Sequence, residues 1–261
     1  MGSAVLTGLI ASGHPLGLIS ATTKSILSAD ALRARGISAM AIEEAADANS
    51  LLAGDADLIV LGVKPHQIKD VLSEIKDEIA PNAVVISMAA GIKLASMAEV
   101  LPRNPNLIRT MPNTPALVGM GVTGVAPALS ASADAVSATM ELFDSVGAAL
   151  EISEDQIDAL SAISGSGPAW VFYIMEQWEQ IAQNHGFTRE QAAVMVRGTL
   201  AGSIDLLAQS DEEPGTLRSK VTSPGGTTER IIDTLEKADL QKIFEASLQA
   251  ALQRADEISA S

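Results

Sequence analysis

Apolar residues in the first half of the chain follow two alternating patterns. Near-continuous apolar runs, most clearly at residues 58–63 and 83–88, are typical of strands that are buried on both faces of a sheet. Segments with helical spacing of apolar residues separate these runs. The predicted strands are residues 16–20, 58–63, 83–88, 106–109 and 122–126, and the predicted helices are residues 3–12, 30–35, 68–79 and 133–146. This alternation predicts an α/β fold, in which a parallel sheet carries helices on both faces.

The second half of the chain shows helical spacing only. From about Ser153 onward the predicted helices are residues 155–163, 168–183, 188–208, 228–236 and 240–258. We therefore expect an α/β domain over residues 1–150 and an all-α domain over residues 151–261. The stretch from Asp158 to Tyr173 carries few charges, so its helices must be buried on most sides. Burial against a second copy, in a homodimer, and burial within the domain itself both satisfy this pattern.

Composition narrows the range of partners. The 261 residues include 17 basic and 32 acidic side chains, which gives a formal net charge of −15. This balance argues against nucleic acid and against an anionic membrane as the main partner, and it leaves any anionic ligand to local donors such as helix N-termini. The chain has no cysteine, which excludes disulfides, thiolate catalysis and zinc–thiolate sites. A cytoplasmic protein is the simplest interpretation.

Other sequence features exclude further classes of site. The three histidines, His14, His66 and His185, stand in separate contexts, so we predict no multi-histidine metal site. The longest apolar runs fall short of a membrane span, and the first five residues do not resemble a signal peptide.

Cofactor contacts are expected at the carboxyl ends of the strands, where open parallel sheets bind their ligands. The polar turn at residues 22–25 contains Thr22 and Lys24 and no acidic residue. Hydroxyls with a cation suit the 2′-phosphate of NADP, whereas an acidic residue would suit the ribose of NAD. A solvated polar turn is the alternative. Small or rigid residues at 63–65 and 89–91 would let a flat cofactor approach the backbone at two more strand ends, and an ordinary strand-to-helix connection is the alternative at each.

Two further segments are candidates for ligand contact. Residues 109–115 (RTMPNTP) hold Asn113 in a stiff loop between two prolines, where its amide is suited to orienting a carboxamide or a substrate. A purely structural turn is the alternative there. Residues 164–168 (SGSGP) interrupt two apolar helices, and this break is consistent either with close helix packing or with the wall of a substrate pocket.

The most specific pattern is the sequence VTSPGGTTE at residues 221–229. Two glycines and two threonines lead directly into a predicted helix. Free N–H groups at the helix start, the helix dipole and two hydroxyls together predict an anion site that fits one carboxylate. A turn with a threonine N-cap is the alternative, but the clustering of turn and hydroxyl residues in an otherwise helical domain favours a binding site.

Four of these segments resemble motifs of the pyrroline-5-carboxylate reductase family. They are residues 61–65, 109–115, 164–169 and 222–228, and the last is close to a family signature. The resemblance extends from Met1 to about Glu236. It implies a Rossmann-like domain, a helical dimerisation domain, and a homodimer or higher homo-oligomer with a substrate pocket shared between subunits. The implied reaction is reduction of the cyclic imine 1-pyrroline-5-carboxylate to L-proline by NADPH, with NADH as the alternative.

The resemblance also assigns residues to roles. The implied cofactor contacts are Asn49, Val63, Lys64, Pro65, Ala89, Ala90 and Gly91, beside Thr22, Lys24 and Asn113 from the reasoning above. The implied substrate contacts are Glu154, Ser223, Gly225, Gly226, Thr227 and Thr228. Thr228 would be the catalytic residue, with its hydroxyl on the ring nitrogen, while neighbouring N–H groups hold the carboxylate. An imine carbon beside a protonated nitrogen accepts hydride readily, so the site needs orientation more than a histidine base.

The start of the chain departs from the family pattern. The family opens with a strand and a G-x-G-x-x-G loop, whereas residues 1–5 resemble the end of that loop and the start of its helix. The absent strand would be central in a doubly wound sheet, so we expect a chain that begins at Met1 to bind cofactor poorly and to fold marginally. Our hypothesis is that translation starts upstream and that Met1 is an internal methionine. An in-frame stop codon immediately before Met1 would contradict it.

Two other functions remain open from the sequence. A β-hydroxyacid dehydrogenase or related imine reductase shares the α/β-plus-helical plan, but such dehydrogenases place a catalytic lysine on a helix of the second domain. This chain has no lysine between Lys93 and Lys220, which counts strongly against that reading. The other alternative is an inactive truncated relative that only dimerises, and the absent first strand is its sole support.

Overall fold

The computed structural model describes residues 1–259, apart from the side chains at 256, 258 and 259. It divides into two units, one formed by Met1–Ser166 with the end of the chain from Leu252, and the other by Gly167–Ala251. The first unit contains every strand of the described residues: β1 (Ser20–Thr23), β2 (Ser38–Ala41), β3 (Leu58–Leu61), β4 (Val84–Ser87), β5 (Leu107–Pro112), β6 (Gly121–Pro127) and β7 (Gly147–Glu151). Its helices are α1 (Gly2–Ala11), α2 (Ile26–Arg33), α3 (Ala48–Ala53), α4 (Ile68–Ile75), α5 (Leu94–Val100), α6 (Ala133–Asp144) and α7 (Ile157–Leu160).

Five strands form the larger sheet in the order β3-β4-β5-β6-β7. The pairs β3–β4, β4–β5 and β6–β7 are parallel, whereas β5 and β6 are antiparallel. The predicted parallel-sheet fold is confirmed, and the β5–β6 pair is a departure from it. A parallel pair needs a crossover of a dozen or more residues, and only the short segment 113–120 joins these two strands.

The other two strands form a separate small sheet. Strand β1 pairs with β2 alone, and β3 pairs with β4 alone, so each has one edge without a ladder partner among the described residues. Leu58, Ile59 and Val60 are only partly buried although all three are apolar. Helix α1 begins beside the end of β3, where a Cβ built on Gly62 would lie 3.5 Å from the Cα of Gly2. Two open edges therefore occur where the family pattern expects a strand between β1 and β3.

The two faces of the larger sheet carry separate cores. On one face α1 and α6 cover the sheet, and the buried residues there include Ala4, Val5, Ile86, Ile108, Leu142 and Phe143. On the other face α4 and α5 cover it, and the buried residues include Ile68, Leu72, Val85, Leu94, Met97 and Leu107. The predicted α/β arrangement with helices on both faces is confirmed.

Several element boundaries differ from the prediction. The segment predicted as a strand at residues 16–20 forms a 3₁₀ turn at Leu16–Leu18, and β1 begins only at Ser20. Helix α2 begins at Ile26 rather than at residue 30, because the Ser25 hydroxyl accepts a hydrogen bond from the N–H of Ser28 and so caps the helix start. The short elements α3, α5, β2 and β7 were not predicted.

The second unit contains helices only: α8 (Gly167–Asn184), α9 (Arg189–Ala208), α10 (Pro214–Lys220), α11 (Thr227–Lys237) and most of α12 (Leu240–Ser259). Helices α8 and α9 pack together, joined by a turn in which Gly186 has a φ of 91°. Trp170 stacks on Phe244 with ring centroids 5.5 Å apart. None of the described helices is long and apolar enough to cross a membrane.

Candidate functional site

The carboxyl end of β1 carries the predicted nucleotide turn, and the structure adds an acidic side chain to it. Thr22 and Lys24 are exposed there. The Glu43 carboxylate accepts a hydrogen bond of 3.1 Å from the N–H of Ile26, the first residue of α2. Its backbone N–H lies 3.4 Å from the carbonyl oxygen of Lys24. Glu43 comes from the end of the neighbouring strand β2, so the sequence of the turn by itself gave no sign of it.

A charged cluster fastens α2 to the end of β2. The Arg33 guanidinium bonds to the Glu44 carboxylate at 2.6 Å, to Asp30 at 2.8 Å and to the carbonyl of Ala39 at 2.9 Å. These contacts raise the pKa of Arg33 above its usual range. The bond from Arg33, followed by one from the N–H of Ala41, lowers the pKa of the Glu44 carboxyl. The cluster therefore stabilises the small sheet at neutral pH.

The ends of β3 and β4 bring two predicted cofactor segments side by side. Leu61 pairs in register with Ser87, so the segment of Val63, Lys64 and Pro65 and the segment of Ala89, Ala90 and Gly91 leave the same edge of the sheet. The Ser87 hydroxyl accepts a hydrogen bond from the N–H of Ala89, and Gly91 has a φ of 76°. This edge exposes backbone and small side chains to which a flat cofactor can bind.

Asn49 lies on α3. Its side-chain N–H donates to the Glu74 carboxylate on α4 at 3.0 Å, which links the two helices. The predicted cofactor contact of Asn49 stays a prediction.

The Asn113 amide has its hydrogen-bonding capacity used within the protein. It donates to the backbone carbonyl and the hydroxyl of Ser164 at 3.1 and 3.0 Å, and its oxygen accepts from the N–H of Val122 at 2.8 Å. These bonds attach the π-helical turn at Ser161–Gly165 to the sheet. A Cβ built on Gly165 would lie 3.3 Å from the Ser161 hydroxyl and 3.5 Å from the end of the Met111 side chain, so this turn has little free space. Both interpretations of the small-residue break at 164–168 stay predictions.

A buried arginine, Arg109, occupies the middle strand β5 beside these loops. Its side chain is only 2% exposed, and it forms ion pairs with Glu154 at 3.5 Å and with Asp158 at 3.0 Å. Its Nε has no hydrogen-bond partner in the structure. Leaving such a buried donor unsatisfied costs about 1–3 kcal/mol. The motif around Asn113 includes Arg109, but the sequence contains no signal that pairs it with carboxylates 45 and 49 residues later.

The glycine corner of the second unit forms the turn that the sequence predicts. Gly225 has a φ of 73°, and the N–H of Gly226 donates to the carbonyl of Ser223 at 2.9 Å. Gly226 is the N-cap of α11 and supplies no side chain to its first turn. The N–H groups of that turn therefore lack intrahelical acceptors and are suited to hold an anion.

One donor of this corner is already used by a carboxylate of the protein. Glu229 accepts a hydrogen bond of 3.0 Å from the N–H of Gly225. The bond closes the loop onto the first turn of α11. It leaves the N–H groups of Thr227 and Thr228, together with the Thr228 hydroxyl, for a ligand.

The fold and the strand ends define a class before any comparison is made. An α/β sheet with small residues at the carboxyl ends of adjacent parallel strands, in one chain with a helical unit, is the plan of a nicotinamide-dependent oxidoreductase. Comparison with known proteins agrees. Residues 1–91 match the family model described as NADP oxidoreductase coenzyme F420-dependent, and residues 154–258 match that described as pyrroline-5-carboxylate reductase dimerisation.

Relatives identify the family. The pyrroline-5-carboxylate reductase of Pseudomonas aeruginosa is 34% identical over 99% of this chain and 93% of its own length, and that of Corynebacterium melassecola is 36% identical over 99% and 95%. Among solved structures, the enzyme of Coxiella burnetii superposes with a TM-score of 0.91 at 35% identity, covering 98% of this chain and 94% of that one. The NADP-bound pyrroline carboxylate reductase of Plasmodium falciparum gives a TM-score of 0.82 at 27% identity over 99% and 94%. The chain belongs to the pyrroline-5-carboxylate reductase family.

Proposed function

We propose that this protein reduces 1-pyrroline-5-carboxylate to L-proline by hydride transfer from NAD(P)H. The observation that carries the proposal is the glycine corner at residues 223–228, which presents the open start of an eleven-residue helix. The chain is similar to a named pyrroline-5-carboxylate reductase over 99% of its length. The open helix start at this corner is suited to hold the carboxylate of such a substrate.

In the proposed site the glycines and the threonines of the corner have different roles. The N–H groups of Thr227 and Thr228 hold the substrate carboxylate, and Gly225 and Gly226 let the ring approach the backbone. The Thr228 hydroxyl bonds to the ring nitrogen and so orients the C=N bond. A nicotinamide bound at the strand ends would supply the hydride that the imine carbon accepts. The ring nitrogen keeps its proton and becomes the secondary amine of proline.

The cofactor fits the strand ends of the first unit. We propose that Val63–Pro65 and Ala89–Gly91 line the dinucleotide, since these segments leave adjacent parallel strands at one edge. Thr22 and Lys24 would hold the 2′-phosphate of NADPH. The Asn113 amide donates to Ser164 in the structure, so its N–H groups would contact cofactor only if those bonds changed. Asn49 donates to Glu74, and its amide oxygen could still accept a hydrogen bond from cofactor.

Preference between NADPH and NADH depends on the balance of charge at the β1 turn. Lys24 favours a phosphate, and the nearby Glu43 carboxylate on the N–H of Ile26 disfavours it. We expect Glu43→Gln to raise the ratio of kcat/KM for NADPH to that for NADH by roughly three- to tenfold, and Lys24→Gln to lower it. Steady-state kinetics with both cofactors measure the ratios. Unchanged ratios in both variants would contradict binding of the 2′-phosphate of NADPH at this turn.

The decisive test is oxidation of NADPH by the purified chain in the presence of pyrroline-5-carboxylate, with proline identified as the product. The same assay on a form extended upstream of Met1 covers the effect of the absent first strand. Turnover of a β-hydroxyacid in place of the imine would support the dehydrogenase alternative. Dimerisation without turnover in either form would support the inactive relative.

The assembly proposed is a homodimer or a higher homo-oligomer formed through the helical unit. Residues 154–258 match a dimerisation model, and α8 exposes Val171, Phe172, Tyr173 and Ile174. Such a row of exposed apolar side chains is typical of a surface that a partner covers. A cytoplasmic location stays a prediction.

A further inference from the structure

The buried side chain of Arg109 connects strand β5 with the segment that follows β7. It lies on β5, where it pairs in register with Ser87 at the end of β4. Its guanidinium is buried and reaches Glu154 and Asp158, both in the segment that follows β7. A buried guanidinium held by two carboxylates has little freedom to move, because each carboxylate engages a different nitrogen.

Glu154 transmits this constraint to the loop between β4 and α5. The oxygen that faces Arg109 also accepts a hydrogen bond of 2.6 Å from the N–H of Leu94, the first residue of α5. The N-cap residue, Lys93, has no side-chain hydrogen bond to the helix, so Glu154 serves as the cap from sixty residues away. The loop at residues 89–93 is thus held by Ser87 at its start and by Glu154 at its end.

Asp158 provides a natural comparison. It pairs with the same guanidinium, but the one hydrogen bond of its side chain among the described residues is to Arg109. The side chains of Glu154 and Asp158 are also similarly exposed, at 31% and 36%. Both carboxylates therefore form an ion pair with the same arginine, but of the two only Glu154 accepts a hydrogen bond from Leu94 at the end of the loop.

We propose that Glu154, oriented by Arg109, is a positioning residue that holds the 89–93 loop in the shape needed for cofactor binding. The inference rests on the proposed function, since it takes this loop as a wall of the dinucleotide site. It differs from the role implied by the family resemblance, in which Glu154 contacts substrate. With one oxygen engaged by Leu94 and Arg109, Glu154 acts on the cofactor through the backbone of the loop.

The test compares Glu154→Ala with Asp158→Ala in the full chain. Hydrogen exchange of residues 89–97 measures the loop directly, and titration with NADPH measures its consequence. We expect Glu154→Ala to speed exchange at Leu94 roughly tenfold and to raise the Kd for NADPH about five- to tenfold. Asp158→Ala should leave both within about twofold of the wild type, and Glu154→Gln should restore most of the protection, because its side-chain oxygen still accepts from Leu94.

Several outcomes would overturn the proposal. Equal changes in exchange and in the Kd for NADPH in the two alanine variants would mean that both carboxylates serve only to neutralise Arg109 and stabilise the fold. A rise in KM for pyrroline-5-carboxylate with an unchanged Kd for NADPH would make Glu154 a substrate contact instead. Failure of both the given chain and the form extended upstream of Met1 to oxidise NADPH with pyrroline-5-carboxylate would refute the proposed function, while the exchange comparison would still decide the role of Glu154 in the loop.

Discussion

At the scale of single residues, the two glycines of the corner are needed for different reasons. Gly225 has a φ of 73°, which side-chain-bearing residues rarely adopt. Gly226 has a φ of −80°, but a Cβ on it would meet the Ser223 carbonyl oxygen at 2.9 Å. The first glycine permits the turn, and the second permits the chain to fold back on itself.

Gly226→Ala should therefore open the corner. The contact is with a backbone atom that cannot swing aside, so we expect a loss of about 1–3 kcal/mol in stability and a KM for pyrroline-5-carboxylate raised at least about tenfold. Thermal melts and steady-state kinetics measure the two effects. Gly17→Ala is the matched control, because a Cβ there meets nothing within 4 Å. A normal KM in Gly226→Ala would count against the carboxylate site.

Thr228 and Thr227 offer a second comparison between neighbours. Thr228 is partly buried and Thr227 is exposed. Valine keeps the shape of threonine and removes the hydroxyl, so Thr228→Val should lower kcat by roughly ten- to a hundredfold, since the ring nitrogen loses its partner. Thr227→Val should keep kcat within about threefold, because its proposed contact is through the backbone. Similar losses in both variants would contradict the role given to the Thr228 hydroxyl.

At the scale of elements, acid should loosen the small sheet first. The pKa of Glu44 is lower in the folded chain than in the unfolded one, so its contribution to stability is present above about pH 4.3 and is lost as pH falls through the folded value. Pulsed hydrogen exchange at residues 38–41 should show protection falling below about pH 4 in the wild type. Glu44→Gln should show weaker protection at neutral pH and little further change on acidification. An acid transition that persists in that variant would assign it to another carboxyl.

The open edges of β1 and β3 give a second prediction about elements. A short apolar strand followed by a glycine-rich loop, added ahead of Met1, should pair with both edges and cover Leu58, Ile59 and Val60. Burying several apolar side chains should stabilise the chain by at least about 2 kcal/mol, or roughly 4–8 °C in Tm. It should also tighten NADPH binding, as measured by titration. An added segment of the same length made of glycine and serine is the control, and equal Tm values for the two forms would contradict pairing at these edges.

Long apolar runs in the sequence predict strands better than short alanine-rich segments do. Long apolar runs were recognised because burial on both faces needs many apolar residues in succession. Strand β2 (SAMA) and strand β7 (GAALE) are short and rich in alanine, so their packing is decided by neighbours rather than by their own hydrophobicity. At Gly147, the first residue of β7, a Cβ would lie only 2.0 Å from the Gly121 carbonyl oxygen, a constraint that exists only once β6 is in place.

At the scale of the whole molecule, the exposed apolar residues of the helical unit indicate a surface that is buried in an oligomer. We expect the chain to form a dimer or a higher oligomer in solution and Phe172→Glu to shift it towards monomer, because Phe172 is 66% exposed on α8. Leu129→Glu, at a fully exposed site of the first unit, should leave the assembly unchanged. Size-exclusion chromatography with light scattering distinguishes these cases. A monomeric wild type would contradict assembly through this surface.

The sequence by itself determined the α/β and all-α halves, the glycine corner and the family, because these depend on local patterns of apolar residues, turns and short motifs. The tertiary structure alone decided the antiparallel β5–β6 pair, the Glu43 carboxylate on the N–H of Ile26, and the contacts of Arg109 with Glu154 and Asp158. Each of these joins residues that are distant along the chain. Their contact energies depend on burial and direction, which a linear pattern does not contain.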